Sequence, residues 1–132
     1  MKFHHIGVAT NDLKRAIKLY SDLGYNLQNS QIYTDQIQKV KIAFMKLDGH
    51  PLIELVTPND IGSPIDSILN KKGSTPYHTC YEVSDLLQTI NDNKKLGFTL
   101  ITKLTPAIAF NNRSICFMYN KDVGMIELLE EA

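Results

Sequence analysis

The chain begins the same passage twice. A shift of 73 positions lays residues 2–57 on residues 75–130 without a gap and gives 13 identities. Composition alone would give about three or four. His5 falls on His78, Asp12 on Asp85, and Leu13 on Leu86. Leu23-Gly24 falls on Leu96-Gly97. Ile42, Phe44 and Met45 fall on Ile115, Phe117 and Met118, and Ile53-Glu54-Leu55 falls on Ile126-Glu127-Leu128. Self-similarity of this kind constrains the fold more than any local propensity, because whatever one half forms the other must form too. The 132 residues suit one domain with a real core. We read residues 1–132 as a single domain made of module one, 1–57, a linker, 58–74, and module two, 75–132.

Both modules share one grammar. Lys2 to Ala9 alternates as a strand does. Asn11 or Asp12 caps a helix in which Leu13, Ile17, Tyr20 and Leu23 keep helical spacing, and Gly24 suits its C-terminal end. A short strand follows near Tyr25–Gln28, then Val40–Lys46, a turn at Asp48-Gly49, and Leu52–Val56. Module two repeats this with Tyr77–Val83, a cap at Ser84 or Asp85, a helix ending at Gly97, and strands near Phe98–Thr102, Ser114–Tyr119 and Gly124–Leu129. Each module therefore reads βαβββ. The linker carries a helix of its own, with Ser63 as N-cap, Pro64 at the first position and Gly73 as the stop. The fold class expected is α+β, with strands dominant.

Alternation assigns faces. Ile6 and Val8 pack under the helix of module one, so His5 points the other way. Tyr81 and Val83 take the helix side in module two, so His78 also points away. Glu54 shares its face with Leu52 and Val56, and Glu127 with Met125 and Leu129. An ionised carboxylate among large apolar groups is costly to bury unless it is paired, hydrogen-bonded or bound to a cation. A lone strand histidine is more often structural than a ligand, and a glutamate in a last strand often faces solvent. The duplication argues against both bland readings, because the His and the Glu recur together. If the modules pair with these faces together, His5, Glu54, His78 and Glu127 converge as two nitrogens and two oxygens. That donor set suits Co, Ni, Zn, Mn or Fe(II).

Charge removes other classes. Fourteen Lys and Arg balance fourteen Asp and Glu, so no field favours nucleic acid or an anionic membrane as partner. The N-terminal MKFHHIGVATNDL has no basic stretch leading into a long apolar run, and reads as no signal peptide. No apolar stretch reaches the roughly 18 residues of a membrane span. Cys80 and Cys116 form no CxxC and sit in apolar strands, where cysteine is a small buried hydrophobe. The expected compartment is the reduced cytoplasm.

The stretches FHHIGVATNDLKRAIKLYSDLGY, IELVTP, SPIDSILNKKGSTPYHTCYEVSD and GMIELLEE resemble the vicinal oxygen chelate superfamily of glyoxalases, bleomycin-resistance proteins and dioxygenases. The resemblance covers essentially the whole chain. Within the superfamily, the series IELVTP, SPI, KKG and HTCYEV is most similar to the methylmalonyl-CoA epimerase family. It implies two βαβββ modules closing a metal-centred cavity, with a divalent ion on His5, Glu54, His78 and Glu127. It also implies a homodimer and a small-molecule substrate. The Glu54 position is Gln or Glu in that family. The activity implied is abstraction of a proton α to a carbonyl, in an acyl-CoA thioester of the methylmalonyl-CoA kind, through a metal-stabilised enolate. Glu127 is the first candidate base and Glu54 the second.

The chain also departs from the epimerase pattern. A Gly-Ala-His-Gly-like loop is replaced by TPAIAFNNRS, and a His-Pro-Lys turn by MYNKDVG. Arg113 in FNNRS reads either as a cation for a substrate carboxylate or phosphate, or as part of a polar loop. Lys39 and Lys41 read as a solvated strand face. Two alternative functions stand beside the epimerase: a glyoxalase I-like lactoylglutathione lyase, and a non-catalytic binding or resistance protein. Four intact ligands count against a binder that needs no metal. Glu54 as a fourth ligand counts against the two-His, one-carboxylate site of an extradiol dioxygenase.

Overall fold

The computed structural model describes residues 1–132, which form two compact units: residues 5–77, and residues 1–4 with 78–132. The first contains β1 (Lys2–Ala9) from His5 onward, α1 (Leu13–Asp22), β2 (Asn26–Asp35), β3 (Val40–Lys46), β4 (Leu52–Pro58) and α2 (Asp66–Lys72). Its strands run β2-β3-β4-β1, with β1 and β4 parallel and the other pairs antiparallel. The second contains β5 (Thr75–Val83) from His78 onward, α3 (Leu86–Lys95), β6 (Thr99–Leu100), β7 (Thr105–Ala107), a 3-10 turn at Ile108–Phe110, β8 (Arg113–Asn120) and β9 (Gly124–Glu130). Its order is β5-β9-β8-β6, with β7 also on β8, and again the first and last long strands are the parallel pair. This is the α+β, twice-βαβββ architecture that the repeat requires. The N-terminal residues pack with the second unit, where Phe3 meets Tyr81 edge-on and His4 meets Phe110.

The two main helices start and stop by the same devices. Asp12 accepts a hydrogen bond from the Arg15 amide at 3.0 Å, and Asp85 accepts one from the Gln88 amide at 2.9 Å. Each satisfies an N–H that the first turn would leave without a partner. At the other end Gly24 (φ +105°) and Gly97 (φ +98°) reverse the chain. The amide two residues beyond the cap then closes on the last turn, from Tyr25 to the Tyr20 carbonyl and from Phe98 to the Asn93 carbonyl, both at 3.0 Å. That closure needs a left-handed residue, which glycine supplies without a Cβ clash.

Each helix covers one apolar sheet face. Leu13 of α1 packs with Ala43, Met45, Ile53 and Leu55, joined by Ile6, Val8, Ile17 and Tyr20. Leu86 and Ile90 of α3 pack with Val83, Cys116, Met118, Ile126 and Leu128, joined by Tyr81. Both cysteines are buried thiols. Burying a side chain such as Leu55 or Leu128 stabilises by about 1.5–3 kcal/mol.

Four local expectations change. Leu23 is not on the apolar face: it caps α1 and is 70 % exposed. β2 does not end at Gln28 but runs to Asp35 through a register shift between Leu27 and Ile32, with Asn29 and Ser30 at positive φ. A bulge interrupts alternation, so the polar run NSQ hid the second half of the strand. In module two the segment after Leu100 divides into β7 and the 3-10 turn, which the repeat does not carry. Finally, α2 begins at Asp66 after an Ile65 cap, and the Ser63 carbonyl, not its hydroxyl, accepts from the Asp66 amide.

Candidate metal centre

Each unit buries one His/Glu pair on its parallel strands. In the first, His5 stands opposite Leu52 and Gly7 opposite Glu54, so the carboxylate lies one same-face step along from the imidazole. In the second, His78 stands opposite Met125 and Cys80 opposite Glu127. The residue beside each glutamate is therefore small, and the histidine leans over it. His5 Nε2 lies 3.4 Å from Glu54 Oε1, with the side chains 0 and 4 % exposed. His78 Nε2 lies 3.2 Å from Glu127 Oε1, with the side chains 0 and 3 % exposed. The structure thus buries all four residues singled out in the sequence, and brings them together pairwise within each unit.

The chemistry of a pair follows from its burial. A buried carboxylate must have its charge met. The imidazole can meet it with a proton on Nε2, or a cation can take that proton's place between nitrogen and oxygen. A neutral imidazole nitrogen and a carboxylate oxygen are donors that borderline divalent ions accept. His5, Glu54, His78 and Glu127 each offer one such ligand atom, so the donor chemistry fits the implied metal.

A third residue recurs with each pair. Phe44 is the cross-strand neighbour of Glu54, and Phe117 that of Glu127. The His5 and Phe44 rings have centroids 6.0 Å apart and planes at 68°; His78 and Phe117 stand 5.2 Å apart at 84°. Sequence reasoning assigned these phenylalanines no place at the site, although the shift of 73 pairs them. Tyr33 continues the row in the first unit, 6.1 Å from Phe44.

Arg113 is engaged structurally. Its Nη1 donates to Glu82 Oε2 at 2.9 Å and to the Glu130 carbonyl at 3.1 Å, its Nε donates to the Phe110 carbonyl at 3.2 Å, and its guanidinium lies 5.8 Å from the Phe110 ring centre. The preceding Asn111 and Asn112 are both left-handed, at φ 56° and 62°. Asparagine tolerates that conformation better than most residues. The amides of FNNRS thus shape a turn, and its arginine ties that turn to β5 and β9.

The second unit also has an open cavity of about 330 Å³ at the start of α3, lined in part by Ser84, Asp85, Ser114 and Glu130. Two carboxylates on its wall, and a helix N-terminus already capped by Asp85, make it a poor receptor for an anion. No helix is long and apolar enough to cross a membrane.

Comparison with known proteins agrees with the fold. The glyoxalase/bleomycin resistance protein/dioxygenase superfamily model matches residues 4–117, and the chain belongs to that superfamily. Within it the chain is similar to methylmalonyl-CoA epimerases. It is 30 % identical over 131 residues to an ethylmalonyl-CoA/methylmalonyl-CoA epimerase of Cereibacter sphaeroides, covering 96 % of each chain. Methylmalonyl-CoA epimerase from Mycobacterium tuberculosis superposes with a TM-score of 0.84 at 30 % identity, over 99 % of this chain and 88 % of that one. The Streptomyces coelicolor enzyme in complex with 2-nitronate-propionyl-CoA shares the fold, with a TM-score of 0.82 at 23 % identity, over 100 % of this chain and 98 % of that one.

Proposed function

We propose that the two His/Glu pairs together hold one divalent cation, and that the chain is an epimerase of an acyl-CoA thioester of the methylmalonyl-CoA kind. The observation that carries this reading is the buried His/Glu pair repeated on equivalent strands of both modules. The similarity to epimerases of two bacteria supports the substrate class, and the Streptomyces coelicolor complex shows an acyl-CoA analogue on this fold.

When bound, the cation supplies Lewis acidity toward the thioester carbonyl. The chain supplies everything else. His5 and His78 fix their Nε2 atoms toward the carboxylates. Glu127 takes the proton from the α-carbon, and the electron pair left behind delocalises into the carbonyl as a planar enolate. Glu54 enters the step as the acid, gives its proton to the opposite face and is left as the carboxylate, so the configuration inverts. One proton has passed from Glu54 to Glu127 by way of the substrate, and exchange with solvent between turnovers resets the pair. One carboxylate per module is what such a two-faced exchange asks for.

The test begins with protein purified without added metal. Metal analysis should give one divalent ion per chain, and His5→Ala and His78→Ala should each remove it. A count of two ions, or none, would sink the shared site. Incubation with methylmalonyl-CoA in deuterium oxide should then place deuterium at the α-carbon, and a hemithioacetal substrate should be left unchanged.

A further inference from the structure

We propose that Phe44 and Phe117 are positioning residues that set the imidazole planes of His5 and His78, so that the unit of repetition is a His/Glu/Phe triad. The inference rests on the metal-centre reading above and extends it to two residues outside the ligand set.

Three observations lead to it. Phe44 and Phe117 fall on each other under the shift of 73 that pairs the histidines and the glutamates. In each unit the phenylalanine is the direct cross-strand neighbour of the glutamate, Phe44 of Glu54 and Phe117 of Glu127. In each unit the same ring meets the histidine nearly at right angles, at 6.0 Å and 68° for His5 and at 5.2 Å and 84° for His78. Conservation of core volume would explain a repeated phenylalanine. It would not explain why both rings stand edge-to-face against the histidine of the pair.

The physical reason concerns one soft angle. An imidazole rotates about its Cβ–Cγ bond in a broad well, so the backbone alone does not fix the direction of Nε2. An aromatic ring packed at right angles narrows that well, because edge-to-face contact is favourable only over a limited range of orientations. Hydrogen-bonding partners that orient a ligating histidine change metal affinity by roughly 10–100-fold when removed; a ring contact, which acts through packing alone, belongs at the low end of that range. The closer and more nearly perpendicular contact at His78 makes Phe117 the stronger constraint, with Phe44 second.

Phe117 is only half buried, so it can be altered with less risk to the fold than Phe44. Phe117→Leu keeps an apolar side chain and removes the ring; Phe117→Tyr keeps the ring. Two readouts are taken on all three proteins. Nitrogen-15 NMR of the metal-free protein follows the His78 ring, and competition with a chromophoric chelator gives the affinity for added Co or Zn. We expect a single fixed His78 environment in the wild type, averaged or doubled signals in Phe117→Leu, and restoration in Phe117→Tyr. Metal affinity should fall about tenfold in Phe117→Leu and return in Phe117→Tyr. Identical His78 signals in all three proteins would overturn the proposal, as would equal affinity of Phe117→Leu and wild type. A wild type that binds no divalent ion would overturn the metal reading instead, while the NMR arm would still decide whether Phe117 orients His78. Should Phe117→Leu lose its fold, Phe117→Met with the same two readouts decides the matter.

Discussion

His78 Nε2 and Glu127 Oε1 stand 3.2 Å apart on neighbouring parallel strands, although Glu127 is in register with Cys80 rather than with His78. The offset means that the imidazole leans one same-face step along the strand to reach the carboxylate. A side chain large enough to block the path would prevent this, and the intervening position holds Cys80 here and Gly7 in the first unit. The pair is thus a product of register, and substitutions that preserve shape while removing charge test its chemistry without disturbing its construction.

Glu127→Gln is the first such substitution. The amide keeps the shape, so the thermal midpoint should move by only a few degrees. It cannot carry the negative charge that balances a cation, nor accept a proton at neutral pH. Metal content after dialysis should drop sharply, and α-hydrogen exchange should fall by a factor of at least about 10². Normal exchange in a metal-loaded Glu127→Gln protein would remove Glu127 from the role of base.

Glu54→Gln separates ligation from proton transfer. The family that the chain resembles has Gln or Glu at this position, unlike that of Glu127, and an amide oxygen can ligate a divalent ion, so metal should remain bound here where Glu127→Gln loses it. If Glu54 returns the second proton, the variant should exchange the α-hydrogen of one epimer while interconversion of the two falls by about 10²–10⁴. Chiral analysis of the product beside its deuterium content distinguishes this from a variant that stays fully active, in which Glu54 would be a ligand only.

How far the sequence disclosed all this depends on what the repeat touched. The helices, their caps at Asp12 and Asp85, the glycine stops and the four ligand candidates all recur at a shift of 73, and each is where alternation and capping place it. The features that escaped lie where the modules differ or where local conformation breaks period. The second half of β2 is hidden from a pattern of alternation because Asn29 and Ser30 adopt left-handed conformations and break the period. The 3-10 turn before β8 has no counterpart in module one, and only the structure reveals that Asn111 and Asn112 shape it. Phe44 and Phe117 were visible as repeated residues, but a ring contact between strands leaves no mark on a one-dimensional pattern. Ser63-Pro64 fits an N-cap and first helical position, whereas in the fold the Ser63 carbonyl takes up the turn and α2 starts at Asp66.

Arg113 supplies a prediction of the opposite kind, a change in stability with no change in substrate affinity. Its guanidinium joins Glu82, the Glu130 carbonyl and the Phe110 carbonyl. The Arg113 and Glu82 side chains are 22 and 20 % exposed, so solvent screens their attraction only in part. Arg113→Met should keep the stem and lose all three contacts, at a cost of about 1–2 kcal/mol in urea denaturation, hydrogen bonds to charged groups being worth somewhat more than that where fully buried. The KM for an acyl-CoA substrate should stay within about twofold of wild type, a free-energy change below about 0.5 kcal/mol. A rise of about tenfold or more with unchanged stability would return Arg113 to the role of an anion contact.

The last prediction concerns alkaline pH. Burial, and secondarily the charge of Glu127, push the Cys116 thiol up to about 11 from 9.0. A folded-state value above the unfolded one means that the unfolded chain gives up its proton first as pH rises. The contribution is therefore fully present below pH 9.0 and is lost between that value and about 11. Tyr20, also raised by burial and then by Tyr25, adds a loss of the same sign above its ordinary value of 10.0. Urea midpoints should hold steady from pH 7 to pH 8.5 and then decline, as the cited directions require. Cys116→Val keeps an apolar side chain of similar size and removes the thiol, so its decline should be shallower than that of the wild type. Native Cys116 should also resist a thiol reagent at pH 8 and react once urea opens the fold, because the thiolate is the reactive species. Parallel declines in wild type and Cys116→Val, together with rapid labelling of the native protein, would show that this thiol is neither buried nor raised.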